Sequence, residues 1–145
     1  VAAVQTQLGN VDAAADQYAR AIEIQPSNWL ARNDLAMLLY RQGDYETARK
    51  HAEIAYQLAG DNPAVLDTLG VILLADQKLD RALPLLERAN QAAPYQPEIA
   101  LHLSEAYEQS GRKVEARTVL ERVLGKLGEF EGREAVEKRY RDLAD

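Results

Sequence analysis

Two histidines, His51 and His102, are the side chains best suited to acid–base or metal chemistry in this 145-residue chain. His102 has Glu105 three residues on, and helical spacing would put that imidazole and carboxylate on one face. Such a pair could begin a metal site or serve a general base, but a closed metal site needs two further ligands. The sequence nominates none, so His102 reads as a surface or groove histidine. Glu129 and Glu131 sit among many charges and read as solvated. No Ser–His–Asp arrangement stands out. Cysteine is absent, which excludes disulfides, thiol catalysis and thiolate metal sites. The glycines of "GKLGEFEG", residues 125–132, suggest a phosphate loop, yet no strand signal precedes them and no Gly-Lys-Ser/Thr follows. Helix termination is the better reading. The expectation is therefore no enzyme, no metal and no cofactor.

Composition points to helices. Hydrophobic residues make up 47% and charged residues 28%, the balance of a folded chain. Alanine and leucine dominate the apolar set, while Phe and Trp occur once each, which suits close helix packing better than a β-sandwich. The most apolar run, "LGVILLA" at 69–75, is far shorter than the ~20 residues that span a bilayer. The net charge is −6, and the excess acid lies before residue 112, because 112–145 hold nine Lys/Arg against eight Asp/Glu. An acidic body without a basic stripe argues against nucleic acid. The chain opens on "VAAVQTQLGN", with neither Met nor a signal peptide, and reads as a piece of a longer protein.

The organisation is periodic, with a step of 34 residues. Gly9, Gly43 and Gly111 share one column, in which Gln77 takes the remaining place. Ala14, Ala48, Ala82 and Ala116 form a second column, and Ala21, Ala55, Ala89 and Val123 a third. Leu35, Leu69 and Leu103 are followed by Ala36, Gly70 and Ser104, and Pro26, Gly60, Pro94 and Gly128 close the units. Between columns, apolar residues recur at three and four, as in Leu66, Leu69, Ile72 and Leu73, then Leu79, Ala82, Leu83, Leu86 and Ala89. Each unit is thus a helix, a tight turn at the glycine column, and a second helix ended by Pro or Gly. Gln77 at the turn would pay about 1 kcal/mol for a left-handed backbone. Pro84 falls early in a second helix, where it should be tolerated.

These columns resemble the tetratricopeptide repeat, whose 34-residue pattern runs W-L-G-Y-A-F-A-P. Leu66, Leu69, Gly70, Leu73, Ala82, Leu86, Ala89 and Pro94 carry it best. The resemblance implies an all-α superhelix of antiparallel helix pairs. Its units would be 1–28 (truncated), 29–62, 63–96 and 97–128, with a capping helix over 129–145, together one solenoid. The family lines its concave face with fixed positions of each first helix. Carried over, these are Leu30, Asn33, Met37, Tyr40 and Arg41, then Ala64, Asp67, Val71, Leu74 and Ala75, then Glu98, Leu101, Glu105, Glu108 and Gln109. The implied function is a non-catalytic scaffold or adaptor holding a partner's peptide or helix in that groove. The carboxylate-clamp positions hold Asn33, Met37 and Asp67, so an apolar or amphipathic segment with a basic residue opposite Glu105 and Glu108 is the expected ligand. Val71 and Leu74 are expected to face it. The closing repeats are also similar to those of bacterial envelope lipoproteins associated with exosortase-type export. That likeness implies the alternative of a structural array within an envelope, export or polysaccharide-assembly protein, and leans towards the periplasm or envelope.

Overall fold

The computed structural model describes residues 2–144, with side chains from residue 9 onward, and every regular element among them is an α-helix. In chain order these are α1 (Ala2–Ile24), α2 (Trp29–Arg41), α3 (Tyr45–Ala59), α4 (Pro63–Ala75), α5 (Leu79–Ala92), α6 (Pro97–Gln109), α7 (Lys113–Lys126) and α8 (Arg133–Asp142). They form two compact units, Val1–Asp61 and Asn62–Asp145. No described helix is long and apolar enough to cross a membrane.

Local chemistry sets the helix ends. Asn28 and Asp44 cap α2 and α3 by accepting hydrogen bonds from the Ala31 and Thr47 amides at 3.0 and 3.2 Å. Asn62 does the same for α4 through Ala64 N–H at 2.9 Å, and Pro63 and Pro97 stand where a missing N–H costs nothing. Three pairs, α2–α3, α4–α5 and α6–α7, are joined by the same tight turn. Its left-handed residue is Gly43, Gln77 or Gly111, at φ 87°, 61° and 78°. In each turn the amide of that residue donates three residues back, to Tyr40, Leu74 or Glu108 O, and the next amide to Leu39, Leu73 or Tyr107 O. Glycine adopts this conformation freely and glutamine does not. Gln77→Gly is therefore expected to raise the unfolding free energy by about 1 kcal/mol. Urea denaturation measures it, and an unchanged midpoint would show that the turn carries no strain.

The glycine column does not break α1. The helix passes straight through Gly9, although the period places a turn there. The first helices of the other pairs are each 13 residues long. Glycine permits a left-handed turn without imposing one, and Gly9 is taken up as helix. Pro84 leaves α5 continuous, although as its sixth residue it removes the N–H that would bond Asp80 O.

In the first unit α2 packs on α3 through Leu35, Ala36, Ala48, Ala52 and Ala55, all buried. In the second, α4 and α5 enclose Leu66, Leu69, Ile72, Leu73, Ala82, Leu86 and Ala89, and α6 and α7 enclose Leu103, Ala106, Ala116, Leu120 and Val123. Gly70 lets α4 close on α5: a methyl there would lie 2.7 Å from Leu86 Cγ and Cδ2. The capping helix α8 starts at Arg133, behind a left-handed Gly132, and docks on α6 and α7. Of its stripe, Val136 and Leu143 are buried, Tyr140 and Phe130 are half-buried, and Ala135 faces solvent. Polar contacts fix its orientation: Arg139 meets Glu108 at 2.9 Å, and Tyr140 Oη donates to Glu121 at 2.6 Å.

One expectation is overturned in α4. Val71 and Leu74 are only 2% and 4% exposed, so neither is open to a partner. Every residue from Val65 to Leu74 is buried. A helix that is apolar on all sides is an interior helix, and the sequence of α4 has that character.

Candidate functional site

The residues assigned to the groove divide between the two units. In the first unit, α2 presents Leu30, which is 54% exposed, and an exposed Arg41, with Met37 and Tyr40 half-buried. The Tyr40 ring lies 5.7 Å from that of Tyr45 at a tilted angle, so the two form one aromatic surface. Asn33 is buried, and its Oδ1 accepts no hydrogen bond. Burial raises the Asp34 carboxyl above its ordinary value, against the opposing effect of a hydrogen bond from Asn33. His51, on α3, has Nδ1 3.3 Å from Arg32 Nη1. Burial, then the Arg32 charge, lowers its pKa.

In the second unit, α6 exposes Glu98, Glu105 and Glu108, with Leu101 half-buried between them. Glu105 is exposed, whereas Glu108 is engaged by Arg139 of α8. Asp67 is not a groove-facing acid. Its carboxylate is sequestered on α4 and meets His102 Nδ1 of α6 at 2.8 Å, with the two side chains 8% and 18% exposed. Glu98, one turn before His102 on α6, completes a cluster. Burial by itself would lower the His102 pKa, but the Asp67 hydrogen bond and charge, with the charges of Glu98 and Glu105, outweigh it and raise the value.

This cluster is the feature that reading His102 beside Glu105 misses. A signal for it exists in the period. Residue 67 lies one repeat before residue 101, so the side chain beside Leu101 on α6 falls near Asp67. An Asp–His pair orients a general base in hydrolases. Here the nearby Ser104 is fully buried and its Oγ donates to Leu101 O at 2.7 Å, so it presents no nucleophile. A second polar centre surrounds Tyr107, whose Oη donates to Glu87 at 3.0 Å beneath the Arg112 guanidinium. Burial, then Glu87, pushes its pKa up to about 12, so it remains a phenol.

Residues 5–63 and 73–131 match family models described as tetratricopeptide repeat. The chain is 26% identical over 126 residues, or 86% of its length, to cellulose synthase 1 operon protein C of Komagataeibacter xylinus. It spans 10% of that relative's length. YrrB, described as a TPR protein with an unusual peptide-binding site, superposes with a TM-score of 0.71 at 19% identity, over 98% of this chain and 72% of that one. The type III secretion chaperone SycD of Yersinia enterocolitica, solved with a peptide of the translocator YopD, gives 0.64 at 22% identity, over 77% and 88%. At these identities the structural likeness is one of fold. With both repeat matches and the helix pairs joined by one recurring turn, the chain belongs to the tetratricopeptide-repeat family, as a non-catalytic protein-interaction module.

Proposed function

We propose that the chain acts as an adaptor that takes a basic, amphipathic segment of a partner protein on the exposed face of α6. The observation that carries this reading is the pairing of Glu98 and Glu105 with a half-buried Leu101 on one helix face, in a chain of net charge −6. Carboxylates at the rim favour Lys or Arg and speed encounter, while Leu101 offers an apolar anchor. The peptide-binding character of YrrB and SycD supports the same kind of ligand. Since Val71 and Leu74 lie in the interior, the apolar share of the ligand is smaller than the sequence implies. In the first unit, Leu30, Tyr40, Tyr45 and Arg41 form a separate apolar and cationic surface suited to a different part of a ligand.

Selection of peptides from a random displayed library on the intact chain tests this. Selected peptides should carry Lys or Arg beside apolar residues and release with rising salt. Glu105→Arg should weaken them at least tenfold, about 1.4 kcal/mol. Peptides without basic residues, held equally well by Glu105→Arg, would sink the proposal. A second reading rests on the match to a cellulose synthase operon protein, of which this chain spans a tenth. The chain would then be one stretch of a longer repeat array in a bacterial polysaccharide-producing assembly, and deletion of the parent gene should lower exopolysaccharide output.

A further inference from the structure

The geometry points to a divalent transition-metal site formed by Asp67, Glu98 and His102, a function that does not depend on peptide binding although it shares Glu98 with the proposed peptide face. The donors come from two helices: Asp67 from α4, and Glu98 and His102 from positions four apart on α6. That spacing projects both α6 side chains from one helix face towards α4. One donor atom from each residue lies within 4.8 Å of the other two. A tetrahedral ion with bonds of about 2.0–2.2 Å needs donors roughly 3.4 Å apart, a contraction that small side-chain rotations supply.

Two features separate this group from a patch of surface acids. Asp67 and His102 are sequestered and already held together at 2.8 Å, so most of the ordering cost of two ligands is met by the fold. Glu98 is exposed, so the cluster opens to solvent on one side, where an ion can enter and keep water as its fourth ligand. The donor set selects the ion class. Imidazole with two carboxylates suits Zn2+ and its first-row neighbours, whereas Mg2+ takes oxygen donors and gives up its water reluctantly. His51 provides a contrast within the same molecule, because the Arg32 guanidinium beside its Nδ1 repels a cation.

Isothermal titration of the intact chain with Zn2+, in parallel with Mg2+, tests the site. One Zn2+ per chain should bind, with no comparable Mg2+ uptake. Affinity should fall at least tenfold in His102→Gln and in Glu98→Gln, and stay unchanged in His51→Gln. Glu98 is on the surface, so Glu98→Gln reports on the ligand set even if His102→Gln disturbs packing. Zn2+ binding equal in Glu98→Gln and the parent, loss of binding in His51→Gln instead, or no uptake by the parent would each overturn the assignment. None of these outcomes bears on Glu105→Arg, which tests the peptide face.

Discussion

Gly70→Val is expected to lower the unfolding free energy by about 3 kcal/mol, read as a shift of the urea midpoint. The first added carbon would stand 2.7 Å from Leu86 Cγ and Cδ2, well inside contact distance. Leu86 is fully buried, so it cannot swing into solvent, and relief must come from parting α4 and α5. Helix propensity works the other way, since valine is a somewhat better helix former than glycine, but by less than 1 kcal/mol. Overpacking wins. The period identifies the compensating change. One repeat earlier, the positions of Gly70 and Leu86 hold Ala36 and Ala52, both buried, so a larger residue on the first helix is matched by a smaller one on the second. Leu86→Ala should cost about 2–5 kcal/mol by itself because it opens a cavity. Combined with Gly70→Ala it recreates the pair of the preceding repeat, and the double variant should lose clearly less than the sum of the singles. Strict additivity would show that the two side chains do not share the space.

His102→Leu should cost about 3 kcal/mol at pH 6, because it strands the Asp67 carboxylate in a mostly dry setting. Opening of the cluster at Glu98 places the cost at the low end for a buried pair. Adding Asp67→Asn removes the stranded charge, and the double variant should recover much of the loss. A double variant as unstable as His102→Leu would show that packing, not charge, is at issue. The same pair gives a pH dependence of known sign. The folded-state pKa of His102 lies above the ordinary 6.5, so its stabilisation is fully present below about 6.5 and fades as pH rises through the raised value. The parent should therefore lose stability from about pH 6.5 upwards relative to His102→Gln, and parallel urea profiles for the two would refute the linkage. The opposing effect of burial is already contained in the net direction.

Much of the fold was legible because a helix pair is a local object. The spacing of Leu66, Leu69 and Leu73 specifies a stripe on one helix, and the turn column specifies where the chain reverses, whatever lies elsewhere. Gln77 illustrates the point, since its left-handed φ of 61° follows from its place in a column of glycines. Gly9 shows the limit. The column is intact there, yet α1 runs through it, because a glycine allows the left-handed turn without requiring it.

Exposure is where local reasoning fails. Family positions nominate Val71 and Leu74 for an open face, yet a helix position is exposed only if nothing packs over it, and every residue of α4 from Val65 to Leu74 is buried. The all-round apolar character of α4 was visible in its sequence and outweighs positional analogy. The engagement of Glu108 by Arg139 likewise depends on the cap helix folding back against α6. By itself, the sequence determined the helices, their pairing, the turn conformations and the acidic character of α6, because each depends on residues within one 34-residue step. Tertiary structure decided which apolar residues are covered and that His102 joins Asp67 and Glu98. Burial and ion pairing depend on distances between side chains from separate helices, and those distances exist only once the repeats have packed.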